Sequence, residues 1–191
     1  MNTIPDILRN QKDFTPTKET VSLHGLGFIQ IVLPENRRLH VWHPDLPRRD
    51  CYEASAIHNH RFGFISKVLK GTQVNVPVDI ELVRDGTHQV ISHNGPRSPM
   101  GGRESYPVAE CNIQYHREQK IPAGSEYIML PGAYHHTPVT GFVITLMTKT
   151  EETQIHANSI IRKGVEFHQA FNRFQLSPRR LMEFVTDAFL A

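Results

Sequence analysis

The sequence predicts an all-β fold, an antiparallel sandwich or barrel with helical trim, on three observations. Short β-like runs recur along the chain: Thr20–Leu33, Arg37–His43, Phe62–Leu69, Thr72–Leu82, Pro107–His116, Tyr127–Leu130 and Phe142–Thr148. Glycines at 71, 124, 132 and 141 punctuate them, as turns between strands require. Helical spacing is confined to the two ends, so the chain lacks the strand–helix alternation of a parallel α/β sheet.

The first dozen residues suit a short helix with Ile4, Ile7 and Leu8 on one face. Thr20–Leu33 is β-rich with glycine breaks. In Arg37–His43, alternation points Leu39, Val41 and His43 one way and His40 and Trp42 the other. "HPDLPRRD" reads as a loop. "SHNGPRSPMGGRES", Ser92 to Ser105, is a second loop, with two prolines and three glycines; it either orders over a substrate or is mobile. Phe167, Phe171 and Phe174 mark a helical or irregular apolar segment. Ser177 is an N-cap with Pro178 at the first helical position, and Leu181, Phe184, Val185 and Ala188 then recur at helical spacing. The expectation is one domain over residues 1–191, with a barrel over about 20–150 and a helical C-terminal extension over about 156–191.

Composition narrows the function. With 39% apolar and 21% charged residues the chain reads as soluble, and no apolar run approaches the roughly 20 residues of a membrane helix. The start, "MNTIPDILRNQKDF", has no apolar h-region. The two cysteines, Cys51 and Cys111, lack C-x-x-C spacing, so a reducing cytoplasm is expected rather than a disulfide framework. The net charge is +2, and the pairs Arg37-Arg38, Arg48-Arg49 and Arg179-Arg180 are too short for a nucleic-acid stripe. Neither a membrane nor a nucleic acid is an expected partner; a small molecule is. Twelve histidines raise the chance of accidental pairs.

One stretch carries chemistry. In "IHNHRFGFISKVLKG", Ile57 to Gly71, His58 and His60 share one face if the backbone is a strand. Two imidazoles can converge on an ion, but a stable site needs a third ligand from elsewhere. "GSEYIMLPGAYHHTPV", Gly124 to Val139, offers His135 and His136. Being adjacent, they face opposite ways on a strand, so only one can join.

These residues resemble the cupins. That family carries a first motif G-x5-H-x-H-x(3,4)-E-x6-G and a second G-x5-P-x-G-x2-H-x3-N. His58, His60 and Gly71 fit the first, with ten residues between His60 and Gly71; Tyr52 stands at its opening glycine. Counting from Pro131, His136 fits the second, while Gly124 lies one residue early, Gly132 one place before the expected glycine, and Thr140 replaces the asparagine. The resemblance implies a double-stranded β-helix, or jelly-roll barrel, with short N-terminal and C-terminal helices and a metal site. The glutamate ligand would fall at Phe64, with Ile65 next, and neither binds metal.

What remains is a three-histidine site of His58, His60 and His136, similar to the thiol dioxygenase branch of cupins. That likeness implies Fe(II) as the first-choice cofactor, with Zn, Ni or Mn as alternatives. It implies an oxidoreductase, a dioxygenase acting with O2 on a small polar substrate. The region of the cysteine in cysteine dioxygenase is held by Phe64 and Ile65, so cysteine is not carried over as substrate. Two other readings stand beside this one: a non-catalytic cupin that binds a small molecule or metal, and a zinc-dependent isomerase or hydrolase. A homodimer is a family-level expectation. His116 is a weaker fourth-ligand candidate, Tyr115 and Tyr134 are proton donors or pocket walls, and Arg61 is an outer-face ion pair. On this register, replacing His58 should cost far more metal than replacing His135; the reverse would mean a one-residue slip in the second motif.

Overall fold

The computed structural model describes residues 14–167 and 171–191. The expected N-terminal helix lies outside the described residues. In chain order the strands are β1 Val21–His24, β2 Phe28–Leu33, β3 Arg37–Trp42, β4 Ile57–His58, β5 Phe62–Lys70, β6 Thr72–Val83 and β7 His88–Ser92. They continue as β8 Tyr106–Tyr115, β9 Gln119–Pro122, β10 Glu126–Met129, β11 Tyr134–His136, β12 Val143–Glu152 and β13 Asn158–Arg162. Two helices are described: α1, Tyr52–Ser55, and α2, Pro178–Leu190.

The strands form two sheets, ordered β1-β2-β3-β12-β5-β10 and β11-β4-β13-β7-β8-β6-β9. The pairings are antiparallel, and the late strands lie among the early ones: β12 between β3 and β5, β13 between β4 and β7. Because β11 also pairs with β6, the second sheet closes on itself through β6, β8, β7, β13, β4 and β11. Two antiparallel halves wound together in this way make the jelly roll of a double-stranded β-helix, as the sequence predicted. Closure leaves that ring few free edges.

Alternation in β2 and β3 divides the first sheet into two faces. Ile29, Ile31, Leu39 and Val41 are fully buried and pack with Leu181, Val185 and Ala188 of α2. Ser177 caps that helix, its Oγ accepting from the Arg180 N–H at 3.2 Å. His43 points to the same side, as alternation required, and its Nε2 lies 2.8 Å from Asp187 of α2. The opposite face presents Phe28, Gln30, Arg38, His40 and Trp42 to an internal cavity. Ile144 of β12, fully buried between β3 and β5, belongs to the α2-side core. Ile144→Ala should lower stability by about 3 kcal/mol, within the usual range for such truncations. Urea denaturation checks this, and a loss below about 1 kcal/mol would place the core elsewhere.

One expectation needs correction. The C-terminal extension, expected helical from about 156, begins with strand β13. Its Ser159, Ile160 and Ile161 are buried where it pairs with β4 and β7, a setting that suits β-branched side chains. Residues 171–177, around Phe171 and Phe174, take the irregular form, one of the two expected for that apolar segment. Gly71, which closes the first motif, joins β5 to β6 at φ +74, and a Cβ there would run into the Phe142 carbonyl. Its place in the motif is therefore a backbone requirement. No helix among the described residues is long and apolar enough to cross a membrane.

Candidate metal centre

The cavity between the sheets has a volume of about 330 Å³, the lower end of the range for small-molecule sites. β4 and the residue pair after it bring His58 and His60 to its wall, with ring centroids 4.9 Å apart. β11 brings the third imidazole. His58 lies directly across the β4–β11 ladder from His135, and directly opposed residues project to the same face. Donor atoms of His58, His60 and His135 all lie within 4.8 Å of one another.

The expected third member, His136, is therefore displaced by its neighbour. His136, the next residue of β11, borders the cavity but also shares a surface cleft with Glu53 and Arg162, and it does not join the cluster. The slip arises in the turn: counted from Gly132 rather than Pro131, G-x2-H ends on His135. Gly132 has φ +79, so glycine, not proline, marks the structurally fixed point of the turn.

The donor set fits a divalent metal ion in its tautomers and spacing. His58 Nδ1 donates to the Ala56 carbonyl at 2.9 Å, and His135 Nδ1 donates to Asn75 Oδ1 at 2.7 Å. Each bond leaves a bare Nε2 as the ligating atom, the usual arrangement around a bound metal. Asn75 is itself buried and oriented by donating to Gln119 Oε1 at 3.1 Å. The Nε2 atoms of His60 and His135 are 3.1 Å apart. Two nitrogens held by one ion at about 2.1 Å each, at right angles, sit about 3 Å from each other.

Burial keeps these imidazoles neutral, the state a metal requires. It pushes His58 down to about 4. His60 and His135 fall well below the ordinary histidine value, again through burial and then through mutual repulsion with neighbouring imidazoles. Phe64 stands where the cupin motif would place a carboxylate ligand. It is inward-facing on β5, buried, with its ring edge-on to His60 at 5.2 Å, while Ile65 faces outward.

Other expected residues fall into place around the cavity. His40 and Trp42 both line it, edge to face at 5.9 Å. His116 lies outside on the surface, 2.7 Å from Asp79, and does not join the cluster. Tyr115 is exposed; the Tyr134 hydroxyl accepts from Asn158. Arg61 makes its outer-face ion pair with Glu152 at 2.8 Å. The loop from Ser92 to Ser105 orders over the cavity: Arg97 bridges to Arg103, and both line it.

Several cavity residues escaped sequence reasoning. His24 stacks on Phe28 at 4.4 Å, His93 is held by Ser105 and Ser159, and Tyr127, near Phe64, has its hydroxyl pushed up to about 12 by burial. Arg38, Arg49, Arg97, Arg103 and Arg173 also face inward. The available signal was polar residues at inward strand positions, Gln30, Arg38 and His40, where a packed core would carry apolar ones.

No protein-family model matches the chain, and no curated protein sequence does. Among solved structures, it is similar to hydroquinone 1,2-dioxygenase from Sphingomonas sp. TTNP3 with 4-hydroxybenzoate bound, at 12% identity and TM-score 0.31, over 62% of this chain and 61% of that one. It is also similar to procruciferin, an 11S globulin from Brassica napus, at 11% identity and TM-score 0.33, over 82% of this chain and 32% of that one. A third is a conserved protein with a double-stranded β-helix domain from Klebsiella pneumoniae subsp. pneumoniae MGH 78578, at 15% identity and TM-score 0.29, over 82% of this chain and 95% of that one. The chain thus spans under two thirds of the first two proteins. Likenesses this slight bear on neither activity nor substrate.

Proposed function

We propose that the protein is a metal-dependent oxidoreductase, with Fe(II) held by His58, His60 and His135, acting with O2 on a small polar molecule bound in the cavity. The observation that carries this reading is the convergence of three neutral imidazoles, two of them tautomer-fixed, on a roomy cavity that no carboxylate lines among the described residues. Bound Fe(II) would supply O2 activation and coordination positions open to substrate.

The chain's own residues do the rest. Three uncharged ligands leave the ion's full positive charge to draw an anionic group of the substrate. Phe64 keeps that charge from being cancelled, because its ring fills the position from which a carboxylate would reach inward. Asn75 and the Ala56 carbonyl hold the imidazoles in the ligating tautomer. Tyr127 keeps its proton across the physiological range and is a hydrogen-bond donor available at the cavity wall. Phe28, Trp42 and Phe64 give the pocket an apolar side that limits water.

The test is metal analysis of protein prepared without a histidine tag, followed by oxygen-electrode measurements with candidate small acids and thiols. Iron near one per chain and substrate-dependent O2 uptake are expected. Stoichiometric zinc without uptake would move the assignment to a zinc isomerase or hydrolase. Absence of any bound or bindable metal would refute the centre.

A further inference from the structure

The cavity carries a second feature that the three histidines do not account for. Five arginines line it, and no aspartate or glutamate does among the described residues. Arg38 comes from β3, Arg97 from the covering loop, and Arg173 from the segment preceding α2. The last two meet near Gly101: Arg97 Nη1 donates to its carbonyl at 3.0 Å, and a Cβ placed on Gly101 would lie 3.2 Å from Arg173 Cδ.

Among the described residues, the trio's hydrogen bonds go only to neutral acceptors. Arg38 donates to Gln30 Oε1 at 3.2 Å, and Arg173 to the Leu23 carbonyl and Ser22 Oγ, both at 3.1 Å. Each guanidinium therefore spends one or two of its N–H donors on the protein. The carboxylate that acts on Arg38, Glu152, is already paired with Arg61 at 2.8 Å. Burial and then mutual repulsion lower Arg38, and they push Arg173 down to about 10. Arg38 and Arg173 are half-buried and Arg97 is exposed; cations drawn out of water without counter-charges are costly, and a fold keeps such a cluster where an anion completes it. Arginine forks match planar oxyanions in particular.

A ring stands between Arg38 and the metal centre: the Arg38 guanidinium lies over Phe62 at 5.4 Å, and that ring lies 5.3 Å from His60. We infer that the cavity takes a small organic anion whose carboxylate or phosphate group lies among Arg38, Arg97 and Arg173, while another part of the molecule reaches the three histidines. This names a substrate class for the activity proposed above and rests on that reading for its turnover; the anion subsite itself needs only the arginines.

Calorimetry and thermal shift on the full chain test it, with succinate, inorganic phosphate and the uncharged analogue succinamide as probes. Each is run on metal-loaded and on chelator-treated protein. At least one of the two anions should bind and raise the melting temperature, and succinamide should not; the tighter anion identifies the oxyanion type. Arg97→Gln, in a loop, and Arg38→Gln, in the sheet, should each weaken anion affinity at least tenfold with metal content unchanged. Equal stabilisation by succinamide, failure of both anions to bind, or indifference to both substitutions would overturn the subsite. Loss of the subsite with metal retained leaves the centre standing, and arginine-dependent anion binding in a protein that takes no metal sinks the centre alone.

Discussion

His135→Ala should reduce bound metal to less than a tenth of the wild-type level, while His136→Ala should leave it unchanged. The difference follows from strand geometry. His135 faces His58 across the β4–β11 ladder, and its Nε2 lies 3.1 Å from that of His60. His136 is one residue along and does not join the cluster. Removing His135 leaves two imidazoles, too few for a stable transition-metal site. Because His135 is buried, His135→Gln provides a control of closer volume; it should also lose metal while keeping a cooperative unfolding transition. Asn75→Ala should have a smaller effect, about 10- to 100-fold in metal affinity, because it removes only the bond that orients His135. Metal analysis after dialysis against a fixed free-metal buffer reads all four proteins. Retention of metal by His135→Ala, with loss in His136→Ala, would restore the register counted from Pro131.

That one-residue question shows where sequence information ran out. The fold was legible because strand alternation, glycine punctuation and the helical spacing of Leu181, Val185 and Ala188 are local, and each is enforced by burial that the structure confirms. His58 and His60 were legible because Gly71 pins the far end of β5, the strand that follows them: its left-handed φ and its closeness to the Phe142 carbonyl admit no side chain. The third histidine depends on which residue of a turn is the fixed one, and two of them, Pro131 and Gly132, give different answers. The arginines were least legible. Arg38 and Arg49 are second members of Arg-Arg pairs whose first members face elsewhere: Arg37 pairs with Glu35, and Arg48 lies over Tyr52. Nothing local to a pair tells which member faces in. Arg97 and Arg173 come from a loop and an irregular segment, where no periodicity exists to read.

The chelator-treated protein should lose its fold steeply on acidification, with a midpoint between about pH 4 and 6. Seven histidines line one cavity: His24, His40, His58, His60, His93, His135 and His136. Burial depresses each of them first, His40 to about 3 and His58 and His93 to about 4, with His24, His60 and His135 well below the ordinary value of 6.5 and His136 also lowered. In the unfolded chain the same groups titrate near 6.5. The unfolded state therefore binds more protons as pH falls below 6.5. The stability these groups confer is complete above that value and is lost as pH drops towards their folded values. A histidine shifted to about 4 corresponds to about 3 kcal/mol lost by pH 4. Two or three such groups are enough to exhaust the stability of an ordinary domain. No carboxylate in the cavity can receive the new charge, and the arginines repel it. Circular dichroism and Trp42 fluorescence against pH give the midpoint. His40→Gln, which removes a titrating group whose Nε2 is buried without a partner, should move that midpoint to lower pH. Metal should act in the same direction, because it binds only the neutral imidazoles, and it should itself be released as pH falls below about 6.5. Protein that stays folded at pH 4 without metal would show that the imidazoles are not held neutral, and with that the donor state on which the centre depends would fail.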